Sequence, residues 1–564
     1  MYMKKWIRIL SMILMVVLTF SFLSGCGKTD SSSQTSTTSQ QQESKSTSSQ
    51  ASSEQQVDSA ALPIVKEPIT IKWWIKMLPG VAATLKSYNE ISCIKELEKR
   101  TGIKIEFIHP TLGQEENSFN LLLASNDLPD IIHYNWVTIP GGINKAIDDK
   151  IIIKLNDLID QNAPNFKKIM EEYPEVRKQA STDEGVLTYF PLLTLDKRIL
   201  SFVGHIFRKD WLDKLSLKVP ETIDEYHDVL KAFKEKDPND NGKPDEIPFI
   251  SEGAGAAFWG WQLPSLGAAW GLLGDFCLNP SGEVKYGPIE PAYKDFLATM
   301  AQWYDEGLID PEFAATDGKS FDAKVTSNRA GAWYHVNSNG MGKYLNMKDK
   351  ISPAFDLVAA PWPKGPDGKK YASQDFDSKV VTVGGAITES CKYKKEVVRL
   401  LDYLYSPEGD TLMNWGVEGL SYSKDSDGKL KYTDLVLKNP SGLPPDQAIL
   451  QHAFCVGEIS FAQNYEARLP INAGLPQLKD AARIWAEYDS SVRMPYLKPM
   501  EKDMARYTEI MNEINTYNNE MWVKFVMGVE PISNYDKFVD KLKKMGIEEA
   551  VKMMQDAYVK YQSK

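Results

Sequence analysis

The feature that most limits what this chain can fold into is an alternation of strand and helix patterns that begins near Leu62. Ile69-Thr70-Ile71-Lys72-Trp73-Trp74-Ile75 has strand character, and a helical stretch continues to Arg100, closed by Gly102. Ile103, Ile105 and Phe107 then alternate with polar residues, the period of a second strand. Another helical segment leads into Leu128-Pro129-Asp130-Ile131-Ile132, which reads as a short buried strand. Strand–helix–strand units with connections this short imply a parallel sheet with right-handed crossovers. The same grammar returns at Ile206-Phe207-Arg208. There Thr222 and Glu225 predict a capping box, opening a helix with Ile223, Tyr226, Val229, Leu230 and Phe233 on one face. The C-terminal region is mostly helical in pattern: Tyr507, Ile510, Met511, Ile514 and Tyr517 form one stripe, and a later helix carrying Val539 and Leu542 is stopped by Gly546.

The N-terminal segment fixes the expected compartment. Lys4, Lys5 and Arg8 precede an apolar run from Ile9 to Leu23, too short and wrongly flanked for a stable spanning helix. Residues 1–25 therefore read as a secretory signal. It ends in Leu23-Ser24-Gly25-Cys26, which resembles the bacterial lipobox. That resemblance implies cleavage before Cys26 and a diacylglycerol on its thiol, with small Ser24 and Gly25 giving a peptidase access to the backbone. A plain signal with an incidental cysteine is the alternative. Residues 26–61 are rich in Ser, Thr and Gln, bury no apolar surface, and are expected to be a disordered tether.

The chain beyond the tether is long enough for two α/β lobes with separate cores. Charged residues make up 25% and hydrophobic ones 43%, a soluble globular mix. With a net charge of −11 and no basic stripe, nucleic acid is not an expected partner. The mature chain carries no further apolar run of about eighteen residues, so it is expected to meet the membrane through its lipid alone. Cys93, Cys277, Cys391 and Cys455 are widely spaced without a CxxC. An exported chain permits pairing, and buried free thiols are the other reading.

Several stretches together carry a family resemblance: Leu122 to Ile132 (LLASNDLPDII), Phe207 to Pro248, Pro361 to Tyr371 (PWPKGPDGKKY), Glu396 to Gly409 (EVVRLLDYLYSPEG) and Gly416-Val417-Glu418-Gly419. In order and spacing the chain resembles a family 1 extracellular solute-binding protein of the large Gram-positive lipoprotein branch, similar to alginate- and maltose-type binding proteins. The resemblance implies an α/β, two-lobed periplasmic-binding-protein type II fold with a hinge between the lobes and the solute in the cleft. It places lobe changes near residues 197, 335 and 390. The N-terminal lobe would then be 62–197 plus 336–390, and the C-terminal lobe 198–335 plus 391–564. It further implies a monomer on the outer face of the cell membrane that serves the permease subunits of an ABC importer.

The sharpest local motif runs from Asp237 to Glu246 (DPNDNGKPDE). Side-chain oxygens at positions 1, 3 and 5 with Gly at 6 match the start of an EF-hand loop. Asp237, Asn239 and Asn241 would bind Ca2+ through side chains and Lys243 through its carbonyl. Position 12 is Pro248, so the usual bidentate Glu is missing; the family resemblance implies that Asp245 and Glu246 close the site instead. An Asx-turn loop that merely ends the helix is the alternative.

The 14 tryptophans suggest a sugar, because pyranose rings stack their C–H faces on indole while hydroxyls take polar groups. Trp74, Trp136, Trp259, Trp261, Trp270, Trp333, Tyr334 and Trp415 are the aromatic candidates for a cleft, each with a core role as its alternative. Trp211, Trp303, Trp485 and Trp522 fall in helical patterns and are expected in the core. Arg208 would either clamp a solute or pair with Asp210, and Glu418 is a candidate acceptor for sugar hydroxyls. No HExxH, GxSxG or P-loop is present, so no catalytic residue is assigned. The expected function is capture of an oligosaccharide for import. A glycan-sensing or adhesive lipoprotein and a surface glycosidase are the competing classes.

Overall fold

The computed structural model describes residues 61–564 except 126, 140, 254–261, 374–377, 473 and 496, and they belong to one compact unit, Val57–Lys564. The signal segment, Cys26, the tether, Trp259 and Trp261 lie outside the described residues. Thirteen strands occur in chain order among those described: β1 Ile69–Ile75, β2 Ile103–Ile108, β3 Ile131–Asn135, β4 Phe190–Leu193, β5 Val203–Arg208, β6 Ile247–Phe249, β7 Phe276–Leu278, β8 Val284–Tyr286, β9 Ala330–Val336, β10 Leu357–Ala359, β11 Val380–Ile387, β12 Tyr422–Lys424 and β13 Leu430–Tyr432.

Two sheets organise the molecule. The first has the order β2-β1-β3-β11-β4, with β1 parallel to β2 and β3, and β11 antiparallel to both β3 and β4. The second has the order β10-β5-β9-β6, with β6 parallel to β9. β7–β8 and β12–β13 are separate two-stranded ribbons. Each main sheet is covered on both faces. Ile71, Trp73 and Ile131 pack into one apolar cluster of the first lobe, while Trp74 and Ile132 pack into another. Phe207 and Tyr334 likewise face one layer of the second lobe, and Ile206 and Trp333 the other. Successive strand residues point to opposite faces, so two covered faces demand the continuous apolar runs seen in the sequence. Within β11 the register shifts between Val381 and Gly384, where a Cβ on Gly384 would lie 2.4 Å from the Phe190 carbonyl oxygen. Only glycine allows that approach. Among the described residues no helix is long and apolar enough to cross a membrane.

Local expectations hold at several points. Thr222 Oγ1 accepts the Glu225 N–H and Glu225 returns the bond to the Thr222 N–H, the reciprocal cap of the helix Ile223–Glu235. Helices Met504–Val526 and Tyr535–Lys544 bury Ile510, Met511, Ile514, Phe538 and Leu542 in the second lobe. Trp211, Trp303, Trp485 and Trp522 are all core. Cys93, Cys277, Cys391 and Cys455 are buried free thiols.

The lobe boundaries differ from those expected. The chain leaves the first sheet after Leu193 and enters the second at Val203. It does not return near residue 335: β10 pairs with β5, and Ala360, Trp362 and Ala372 pack in the second-lobe core. The return is made at β11. Residues after 390 then stay in the first lobe, where Val397, Val398, Leu400, Leu401, Leu412, Met413, Phe454 and Phe461 join the cluster around β1. The final change precedes the helix Pro476–Trp485, whose Leu478, Ala481 and Trp485 pack with Ile206 and Trp333. Helical faces at 394–415 are apolar enough to cover either sheet, and only tertiary packing selects one.

Two buried carboxylates support this returning segment. Asp402 accepts the backbone N–H of Phe166 at 2.8 Å and of Asn165 at 3.3 Å, in the first turn of the helix Pro164–Glu172, and the Asn165 amide at 2.7 Å. Asp410 accepts from Asn414 at 3.0 Å and Asn464 at 3.1 Å. Burial pushes both carboxyls up to about 6, against these hydrogen bonds. An acid raised in the folded state lends stability below its unfolded pKa, near 4, and loses that contribution as pH rises through 6. Lowering the pH from 7.5 to 5 should therefore favour the wild type over an Asp402→Asn/Asp410→Asn double variant, by roughly 1–2 kcal/mol per carboxyl. Urea midpoints at the two pH values check this, and equal pH responses of wild type and variant would contradict it.

Candidate functional site

Strand direction locates the crevice. In the first sheet the carboxyl end of β3 lies at the same edge as the start of β11 and the end of β4, since Val383 pairs with Asn135 and Val380 with Leu193. In the second sheet the carboxyl end of β9 adjoins the start of β5, with Val336 opposite Val203. The Asn337 N–H also donates to the Phe202 carbonyl at 2.7 Å. The connection from β4 to β5 thus joins the carboxyl ends of both sets of parallel strands, and both sheets open toward the crossing. Open α/β sheets present their ligand-binding loops at that end.

Polar groups collect there on each side. From the first lobe come Lys76, one residue past β1, whose Nζ lies 2.7 Å from Glu458 Oε2, and Asn135, whose Oδ1 is buried without a hydrogen-bond partner among the described residues. Tyr134, half-buried, stacks on Phe119 with ring centroids 3.7 Å apart. From the second lobe come Glu252, three residues past β6, and Asp322, whose Oδ1 accepts from Lys343 Nζ and Tyr344 Oη, each at 2.6 Å. Gln262 is 5% exposed and its Nε2 has no partner among the described residues. Burial pushes the half-buried Glu252 carboxyl above its usual range, with Asp322 and Asp317 adding to the rise and Lys343 opposing it. For Asp322 burial also pushes upward, but Lys343 and Tyr344 outweigh it and hold the carboxyl below its usual value.

Most of the tryptophan candidates are not here. Trp136 and Trp333 are fully buried, and their indole N–H groups donate to the carbonyls of Gly384 at 2.9 Å and Gly340 at 2.8 Å. Tyr334 is buried beside Trp362 and His205. Trp74 packs with Phe119 and Tyr134, and Trp415 with Tyr422 and Tyr432, both in apolar clusters. Places near strand ends or turns suggest openings on the cleft, but helices cover both faces of each sheet and seal them. Arg208 takes the pairing alternative: it is 1% exposed and forms a two-pronged bond with Asp210, so it is closed to solute. Glu418 is exposed on the first lobe and pairs with Lys424 at 3.2 Å. Trp270 alone of the eleven tryptophans among the described residues is only partly buried. Lys76 and Glu252 are legible in sequence as the first charges beyond apolar strands, a signal that the abundance of aromatics outweighs.

The loop Asp237–Glu246 curls as its spacing requires. Asp237, Asp240 and Gly242 have φ of 43, 58 and 71°, the left-handed region. Asp237 Oδ1 and Oδ2 accept the N–H groups of Asn241 and Gly242, Asn239 Oδ1 accepts that of Asn241, and Asn241 Oδ1 accepts that of Lys243. Asn241 donates its amide to Asp245 at 2.7 Å. Both Glu246 oxygens are buried without a hydrogen-bond donor among the described residues. Burial first, then the charges of Asp237 and Asp245, push its pKa up. Among the described residues no group of three His, Cys, Asp or Glu closes on one point as a metal site. The donors in this loop are instead a mixed set that includes two asparagines.

Comparison with known proteins accords with this architecture. The family model for bacterial extracellular solute-binding proteins matches residues 89–411. The fructooligosaccharide ABC transporter substrate-binding protein FusA of Streptococcus pneumoniae is 26% identical over 90% of this chain and 93% of its own. Its EF-hand mutant, solved with fructo-nystose, superposes with a TM-score of 0.60 over 88% of this chain and 99% of that one. Lipoprotein LipO of Bacillus subtilis is 26% identical over 68% of this chain and 73% of its own. The alginate-binding protein AlgQ2, solved without calcium ion, gives 26% identity and a TM-score of 0.58 over 88% of this chain and 99% of that one. With a family match over more than half its length and a two-lobed α/β fold open at the carboxyl ends of both sheets, this chain belongs to the bacterial extracellular solute-binding proteins.

Proposed function

We propose that the protein is the lipid-anchored capture component of an ABC importer, taking an oligosaccharide between its lobes and releasing it unaltered to the permease. The observation that carries this reading is the common opening of both sheets at the first crossing, with paired and unpaired polar groups on each wall. Such walls exchange water for sugar hydroxyls, and a solute touching both lobes favours a closed arrangement. Near full-length likeness to FusA supports a sugar and an importer, and the likeness to LipO supports the lipid on Cys26.

Calcium in the loop is part of the same proposal. Asp237, Asn239, Asn241, the Lys243 carbonyl, Asp245 and Glu246 would hold it, and the buried, donorless Glu246 carboxylate fits a cation partner. The ion would supply charge neutralisation, not chemistry on the solute. Its place between the helix Ile223–Glu235 and β6 is at the end of the second sheet away from the crossing.

Calorimetric titration of the calcium-supplemented protein with kestose, nystose, oligogalacturonate and alginate oligomers tests the proposal. Saturable binding by at least one, a smaller radius of gyration in solution scattering, and recovery of intact sugar are expected. Absence of binding across the panel would sink it, and recovery of cleaved sugar would favour a glycosidase.

A further inference from the structure

A tryptophan-rich composition suggests sugar stacking, yet ten of the eleven tryptophans among the described residues are buried in cores. Trp270 is the exception, and it is not in the crevice. It ends the helical turn Leu263–Trp270 on the second lobe and packs against Phe296, with ring centroids 5.3 Å apart and planes tilted by 51°. A cavity of about 720 Å³ and another of about 330 Å³ both border it, and both also share Ala269 and Pro366. Every described residue lining these two cavities belongs to the second lobe.

The polar lining has one character. In the larger cavity Asp224 and Asp228 are exposed one helical turn apart, with Thr299 and Gln302 across from them. Lys364, its one lysine among the described residues, is held by Glu221 at 2.9 Å. In the smaller cavity Asp295 and Asp367 accompany Lys285, which pairs with Glu290 at 3.0 Å. The two lysines are thus neutralised, and His227, which also lines the larger cavity, lies 2.6 Å from Glu306 and 3.6 Å from Asp228, while Asp224 and Asp295 offer carboxylate oxygens. Carboxylates accept hydrogen bonds from sugar hydroxyls and repel acidic sugars, and an indole with open space beside it takes the C–H face of a pyranose.

We propose that Trp270 is the platform of a second saccharide site, confined to the C-terminal lobe, that takes a neutral pyranosyl unit and discriminates against uronates. This deepens the carbohydrate reading of the protein and rests on it. Because the site needs no residue of the first lobe, it remains available whether the lobes are apart or together. That placement suits two uses: holding the far end of a long chain, or raising the local concentration of glycan near the crevice.

The test uses full-length protein labelled with 5-fluorotryptophan, with Trp270→Phe assigning the Trp270 resonance. Maltotetraose, cellotetraose, nystose and tetragalacturonate are titrated in turn into calcium-supplemented protein. A neutral pyranosyl tetrasaccharide is expected to move the Trp270 signal, and tetragalacturonate to leave it in place. In the Trp270→Ala variant, affinity for the responding sugar should weaken between about two- and tenfold at this site. The proposal is overturned if the Trp270 signal stays fixed while other tryptophan signals respond to sugar, which would leave the crevice reading intact. An equal response to tetragalacturonate would overturn the neutral selectivity. If no signal moves with any of the four sugars, the second site is overturned, and the crevice reading is decided separately by the calorimetric titration.

Discussion

Replacing Arg208 by alanine is expected to cost the second lobe about 3–5 kcal/mol of stability, the scale for breaking a buried ion pair from one side. The guanidinium closes β5 at 1% exposure and donates through Nε and Nη2 to both Asp210 oxygens at 2.9 and 2.7 Å. Nη2 also donates to Asn328 Oδ1 at 2.7 Å, and Cζ lies 4.4 Å from the Trp211 ring centroid and 4.5 Å from that of Phe355. Burial lowers the Arg208 pKa and Asp210 opposes the fall; an arginine in such a pair remains charged. Alanine would leave Asp210, at 11% exposure, without a counter-charge and Asn328 without its donor, while opening a gap between two aromatic rings. With about 500 folded residues the unfolding entropy is about 1 kcal/mol/K, so the melting temperature should fall by about 3–5 °C. Arg208→Lys should recover only part of the loss, because an ammonium does not reproduce a planar fork stacked between rings. Urea unfolding and sugar affinity are measured together, the latter well below the melting range. Lost stability with affinity kept within about twofold is expected. Kept stability with lost affinity would return Arg208 to the solute.

That outcome bears on what the sequence could reveal. Strands β1, β2, β3 and β5 were legible because their apolar runs and alternation are local properties, as was the cap at Thr222. The lobe to which residues 394–415 belong was not, since their helical faces match either sheet and nothing local chooses between them. Nor could the sequence sort the tryptophans. Trp333 and Tyr334 are neighbours that point to opposite faces, and only a sheet covered on both sides buries both. Arg208 and Asp210, two residues apart, offered the ion pair plainly, whereas the third partner, Asn328, is brought in by the fold from far along the chain. The loop Asp237–Glu246 was the most legible element, because every group in it is supplied by consecutive residues. Its coupling to the rest was hidden: Asn239 donates to the Asn328 carbonyl, and Arg329 to that of Asp245.

Removing calcium should reverse the effect of a single substitution in that loop. Without the ion, Glu246 holds a buried carboxylate with no hydrogen-bond donor among the described residues, against the charges of Asp237 and Asp245. Lys214 reaches only the outer side, pairing with Asp240 at 2.5 Å and donating to the carbonyls of Asp237 and Pro238. Glu246→Gln removes one of the crowded charges, so in excess chelator the variant should be as stable as the wild type or more so. With calcium present the same charge becomes attractive, and the wild type should gain about 4 kcal/mol when free calcium is a thousand times its dissociation constant. The variant should gain much less, since hard cations favour charged oxygen ligands. The two stability curves must therefore cross between chelator and calcium. Melting temperatures in excess EDTA and in millimolar calcium test this directly. A wild type indifferent to chelation, with Glu246→Gln equally destabilising in both conditions, would make the loop a plain turn and remove the metal from the account.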